Sequence, residues 1–345
     1  MWYFAVLVLA AGAFFWWFRR KKSSAGAGGQ NTAGQKVLSD LERGVPEKFL
    51  AAVRKSDMET VGLVVDNLDK YEPAVRSRVI LQLEQEGVVE SYIDWLRGKD
   101  IEQKKVAARR LAYIGSPRAV MPLVEAVADK NEEVRLTAAG ALKRIKDPAG
   151  IEPLIRALKE PMKWLPARIA EVLVELGPLA LPALLAGLDD PDPEFKCYII
   201  EILGETGNPE SLSKLAGVLR DQNPVIRAKT AAAMGNIGSS GAVQALLGAL
   251  LDTDKNVRNQ AVLALRRIGS PAAVAGLAGV TTDPDKFVRT NAVEALGKLG
   301  DTGRAVLRQI AGDPGHPEKD RAIAILQKQG SKNEAKVNIL YHRKV

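Results

Sequence analysis

The sequence predicts an all-α fold, an α-solenoid of stacked helix pairs preceded by one transmembrane helix. Three observations predict it. A pattern of about 31 residues recurs along most of the chain, an uncharged apolar run stands at the amino terminus, and aromatics make up only 5% of the residues. Ala, Leu, Val and Gly dominate instead, which suits closely stacked helices better than a sandwich or barrel.

The first element runs from Trp2 to Phe18, "WYFAVLVLAAGAFFWWF", without a charge. As a helix it rises ~25 Å, near the lower limit for crossing a bilayer. Trp16 and Trp17 stand where an interfacial aromatic belt belongs, and Arg19, Arg20, Lys21 and Lys22 follow at once. A cleaved signal carries its positive charge before the apolar stretch, whereas here the charge comes after it. Residues 1–18 therefore read as an uncleaved single-pass anchor in the cell membrane, amino terminus outside and repeats in the cytoplasm. Residues 19–36 join the basic cluster to "SSAGAGGQNTAGQK", a flexible tether with a reach of ~20 Å. Its glycines form no phosphate loop, because no strand precedes them and no Lys-Ser/Thr ending follows.

The repeats occupy residues 37–330, with a degenerate leading helix pair from about Pro46 to Tyr71. One basic column holds Arg76, Lys104, Arg135, Pro166, Lys196, Arg227, Arg258, Arg289 and Lys319, separated by 28, 31, 31, 30, 31, 31, 31 and 30 residues. This spacing fits one helix pair per unit and about nine pairs in a right-handed superhelix. Eleven residues after the column stand Gly87, Gly115, Gly177, Gly207, Gly238, Gly269, Gly300 and Gly330, as expected where a first helix closes in the left-handed conformation. Lys146 is the exception. Ser116-Pro117, Asp147-Pro148, Asn208-Pro209 and Ser270-Pro271 then read as caps with proline at the first position of a second helix. Six residues before the column come Asp129, Glu160, Asp190, Asp221, Asp252, Asp283 and Asp313. Recurrence in every unit marks these carboxylates as structural, either capping the next first helix or bonding a neighbouring Arg. Pro166 breaks the basic column, so an altered stacking angle is expected near "PMKWLPARIAEVL".

Asp, then Val-Arg, then Ala-x-x-Ala-Leu-x-x-Ile-Gly, then Ala-Val-x-x-Leu, over residues 70 to 330, resembles the HEAT-like repeats named after the phycobilin lyases. The resemblance implies the solenoid and leaves the function open, because one repeat scaffold serves many tasks. A lyase-type factor that handles bilin chromophores is the alternative reading. Another relative by repeat, deoxyhypusine hydroxylase, has a metal centre resembling paired His-Glu motifs. This chain has only His316 and His342, followed by Pro317 and Arg343, so that oxidoreductase activity does not carry over. Neither a catalytic residue, a cofactor nor a metal is expected. Cys197, the single cysteine, lies in the apolar run "FKCYIIEIL" and reads as a buried inert thiol.

The formal charge of +8 does not spread over the repeats. Five cations fall in residues 1–36 and four, against one Glu, in the basic tail 331–345, leaving 40 basic and 40 acidic residues between. A nucleic-acid partner is not expected of a neutral body. The chain reads instead as a membrane-anchored, non-catalytic scaffold that holds another protein, as a peptide or helix, in the groove lined by its second helices.

The exposed positions expected there are Met121, Pro122 and Glu125, then Glu152, Pro153 and Arg156, then Pro182, Ala183 and Ala186. Ser213, Lys214 and Gly217 follow, then Gln244, Ala245 and Gly248, then Ala275, Gly276 and Gly279. The face thus passes from charged to small and uncharged. Candidate partner-binding residues are Glu152, Arg156, Lys214, Gly217, Gln244, Gly248 and Gly279. Glycine inside a helix costs ~1 kcal/mol relative to alanine, so the column needs a reason. Two fit it: close packing between second helices, or a shallow groove for a partner.

Overall fold

The computed structural model describes residues 57–160 and 165–329. The expected anchor and tether, the start of the leading helix pair from Pro46, Gly330 and the basic tail lie outside the described residues, as does part of the segment around Pro166. Every regular element among the described residues is helical, and none of these helices is by itself long and apolar enough to cross a membrane. The described residues divide into two compact units, one up to Leu123 and one from Val124 onward.

In the first unit α1 (Met58–Val65), α2 (Pro73–Gln85), α3 (Val88–Arg97) and α4 (Ile101–Ile114) enclose Val61, Val65, Val79, Leu83, Tyr92 and Leu111. Asp57 caps α1 by accepting from the Thr60 N–H, and Asp100 caps α4 by accepting from the Gln103 N–H. Burial of about six such apolar side chains, at ~1.5–3 kcal/mol each, is the main term holding these helices together.

The division falls within α5 (Val120–Ala126). The second unit alternates long first helices with short second helices. The first helices are α6 (Glu132–Ile145), α8 (Pro166–Leu176), α10 (Pro193–Thr206), α12 (Pro224–Ile237), α14 (Lys255–Ile268) and α16 (Lys286–Leu296). Between them lie α7 (Ile151–Ala157), α9 (Leu181–Gly187), α11 (Leu212–Val218), α13 (Val243–Ala249) and α15 (Val274–Gly279). α17 (Gly300–Gly312) and a helix over 319–329 end the array.

The expected helix ends are largely as the residues dictate. Gly115, Gly207, Gly238 and Gly269 follow their helices at φ of 64 to 73°, where an L side chain is strained. Lys146 takes the same conformation at φ 53° although it is not glycine. The second helices begin differently from expectation, with a three-residue 3₁₀ turn such as Pro117–Ala119 or Pro209–Ser211 before the α-helix. Asp147 and Asn208 cap these turns, whereas the Ser116 and Ser270 side chains do not. Pro166 shortens its helix: α8 starts at the column position, while α12 and α14 start three residues before theirs. The last unit also departs. α16 ends at Leu296, and Gly300 opens α17 instead of closing a first helix.

The carboxylate column does not cap the first helices. Those caps are Asn131, Asp192, Asn223, Asp254 and Asp285, two residues further on. Asp221, Asp252 and Asp283 instead accept from the N–H two residues ahead and from the basic residue of the preceding unit. Arg227 places Nε and Nη2 on Asp252 at 2.7 and 2.8 Å, and Arg258 does the same to Asp283 at 2.7 and 2.9 Å. The remaining Nη1 donates backwards, from Arg227 to Asp221 O and from Arg258 to Asp252 O, both at 2.8 Å. One guanidinium therefore ties its own loop to the next, which a planar five-donor fork allows and a point charge does not. Lys196 reaches Asp221 at 2.9 Å, and Arg289 reaches the buried Glu318 at 3.5 Å, so Asp313 is not the acceptor in the last step.

Candidate functional site

The second helices put their i and i+4 positions outward. Met121 and Glu125, Glu152 and Arg156, Pro182 and Ala186 are exposed, as are Gly217, Gln244, Gly248 and Gly279, while Pro122 is buried against expectation. Glu152 and Arg156 lie within 4.0 Å, an i,i+4 pair of side chains about two-thirds exposed (68% and 69%), which contributes little to stability. Lys214 is held by Asp189 at 2.6 Å, so its charge is already answered.

A Cβ added at Gly217, Gly248 or Gly279 would meet no atom within 4 Å. Close packing is therefore not why these positions are glycine. They stand in or next to the last turn of helices of only six or seven residues, where the penalty for glycine is below its interior value. Glycines that do pack lie elsewhere. A Cβ on Gly204 or Gly235, both in first helices, would approach the Ala233 or Ala264 Cα to 2.9 or 2.7 Å, and one on Gly276 would strike the Leu247 side chain.

The first helices of the second unit carry grooves that the repeat pattern did not point to. One of about 300 Å³ lies between α12 and α14, and another of about 280 Å³ continues from it toward Lys298. A third, of about 250 Å³, lies between α8 and α10, with Tyr198, Glu201 and Glu205 on its rim. The signal that could have found the first two is Gly235, which draws α12 against Ala264 of α14 and leaves the longer side chains as walls.

The titratable groups read as structural. In the first unit Arg110 donates to Asp66 at 3.0 and 3.2 Å and lies over the Tyr92 ring, in the space that Gly62 leaves open. Burial pushes the Tyr92 phenol above its ordinary range, so it is neutral and no base. Cys197 is half-buried rather than buried, and desolvation raises its thiol pKa, which lowers its reactivity. His316 accepts from the Glu318 N–H at Nδ1 and lies 3.2 Å from Thr281 Oγ1 through Nε2, which holds it as a loop clasp. Among the described residues no three His, Cys, Asp or Glu side chains converge as metal ligands.

A family model of HEAT repeats matches residues 89–174, 181–266 and 246–327. The chain belongs to the HEAT-repeat family. That match is to HEAT repeats as a class, which is coarser than the phycobilin-lyase type the motif resembles. No curated protein matches the chain. Among solved structures this HEAT-repeat chain is similar to an engineered protein, with 21% identity over 86% of this chain and 94% of that one and a TM-score of 0.36. It is similar to human deoxyhypusine hydroxylase in complex with glycerol, with 21% identity, 72% and 98% coverage and a TM-score of 0.33. A designed armadillo repeat protein in complex with a (KR)4 peptide gives 22% identity, 61% and 99% coverage and a TM-score of 0.34. These likenesses are of helical-repeat architecture and transfer no activity.

Proposed function

We propose that this HEAT-repeat chain is a non-catalytic scaffold, anchored by residues 1–18 to the cytoplasmic face of the cell membrane, which holds a segment of another protein on its second-helix face. The observation that carries the reading is the open strip at Gly217, Gly248 and Gly279. A Cβ added at any of its glycines would meet no atom within 4 Å, and Gln244 and the small Ala275, one turn before Gly248 and Gly279, are exposed as well. An exposed run of small residues admits the backbone or apolar face of a partner at close range, and Glu152 and Arg156 on α7 offer charge for orientation.

Crosslinking of the tethered protein in native membranes, followed by pull-down, tests it. G248Q/G279Q is expected to remove the crosslinked partner while leaving the melting temperature unchanged, since the new side chains enter open space. Capture that survives G248Q/G279Q moves the working surface elsewhere. The topology has its own test: protease added to intact cells should spare the repeats, and digestion of the body from outside would refute a cytoplasmic placement.

A further inference from the structure

α12 and α14 approach to backbone contact at Gly235 and Ala264, and the surface beside that contact is a continuous groove. Its two stretches share Ala232 and Gln260. At one end Val225, 55% exposed, stands beside Ala228 and Ala232. The middle carries the amides of Gln260 and Asn236, and the far end carries Arg266, Arg267 and Lys298.

The charges do not cancel within the fold. Lys229 at the apolar end is held by Glu201, and Asp254 is occupied as the N-cap of α14. Arg266 is answered by Glu294 at 3.8 Å, a carboxylate that Arg321 also holds at 3.0 Å. Arg267 and Lys298, both exposed, have no carboxylate partner among the described residues, and the Gln260 and Asn236 amides have no partner there either. Two uncompensated cations therefore follow two unengaged amides and an exposed aliphatic side chain along one groove.

We propose that this groove binds a short extended segment of a partner protein, carrying an aliphatic residue and, a few positions on, one or two carboxylates. Free amides both donate and accept, which matches the N–H and C=O of a peptide backbone. Val225 and Asn236 are eleven residues apart on α12, a rise of ~16 Å, which matches about five extended residues. A lone phosphate or carboxylate would use only the cationic end. A nucleic acid needs a longer run of cations than two, with no Glu201 beside the apolar end. The proposal rests on the reading of the chain as a protein-binding scaffold, and it uses the opposite row of helices from the glycine strip.

The test uses the full-length chain in phosphatidylcholine nanodiscs and fluorescein-labelled short peptides read by anisotropy. One peptide set has a Leu followed by a Glu pair, a second has Lys in place of the Glu pair, and a third has Ser in place of Leu. The first set is expected to bind best, more weakly as salt rises, and R267E/K298E should weaken it at least about tenfold with an unchanged melting temperature. K298Q, which adds no negative charge, should weaken it several-fold, and G248Q/G279Q should leave it unchanged. Equal binding of the three sets, or insensitivity to R267E/K298E, overturns the proposal. Loss on G248Q/G279Q alone also overturns it, while leaving the scaffold reading standing on the other face. If only phosphatidylserine vesicles respond to R267E/K298E and no peptide does, the surface is a lipid contact and the proposal falls.

Discussion

Arg258→Ala should destabilise the second unit more than any exposed substitution in it. The side chains of Arg258 and Asp283 are only 12% and 5% exposed. Truncating one member of a buried pair leaves the other charge uncompensated, at a typical cost of ~3–5 kcal/mol. Asp283 keeps its bond from the Asp285 N–H at 2.8 Å, so the lower end of that range, about 3 kcal/mol, is expected. Arg258→Lys retains a charge but loses the fork onto Asp283 and the bonds to the Asp252 and Thr253 carbonyls, for ~1–2 kcal/mol. Because stacked repeats are coupled to their neighbours, the loss should be local, and amide hydrogen exchange reads it directly. Amides around residues 252–254 and 283–285 should lose protection by about a hundredfold in Arg258→Ala, with the first unit unaffected. R258A/D283A should be less destabilised than the sum of its single variants, since the stranded charge is gone. A loss below ~1 kcal/mol, or equal losses in Arg258→Lys and Arg258→Ala, would refute the bridging role of the guanidinium.

The same ladder predicts acid sensitivity. Hydrogen bonds from Arg227 hold the Asp252 carboxyl below its ordinary range against the effect of burial, and at Asp221 the Asn223 N–H and Lys196 outweigh burial in the same direction. A depressed folded-state pKa contributes stability above the unfolded value of ~3.9 and loses it as pH falls through the folded value. Thermal melts should therefore be flat from neutral pH to about 5 and drop below about 4, whereas Asp252→Asn starts lower and converges with the wild type in acid. Gly235→Ala should cost ~1–3 kcal/mol by forcing α12 from Ala264, while Gly248→Ala stays within ~0.5 kcal/mol; the reverse order in urea unfolding would invert the assignment of the two glycine classes. Lys146→Gly should raise stability by up to ~1 kcal/mol by relieving the left-handed strain, because the lost pair with Glu175 is half-exposed on both sides. A lower melting temperature for this variant would show that the pair outweighs the strain.

The repeat unit was legible in the sequence because its signals are local. A helix that ends at Gly238 needs a left-handed residue there, and a helix that begins at Pro224 needs an acceptor such as Asn223 before it, whatever packs around them. Outward positions such as Glu152 and Arg156, four apart on α7, follow from helical periodicity in the same way, although Pro122, expected outward, is buried. What the period could not give is the partner of each repeated group. Asp252 and Arg227 are 25 residues apart and meet only because consecutive units stack, and that stacking decides between the two roles open to the column, cap or partner of a neighbouring Arg, in favour of an inter-unit ladder. Gly235 and Gly248 are alike in sequence, both within helices rich in Ala, yet one has a neighbouring backbone against it and the other has open space. The groove from Val225 to Lys298 likewise spans three units. Local rules fix φ, caps and period because they act within one turn of chain; which side chains face one another across units depends on the distance and rotation between helices, and only the tertiary structure sets those.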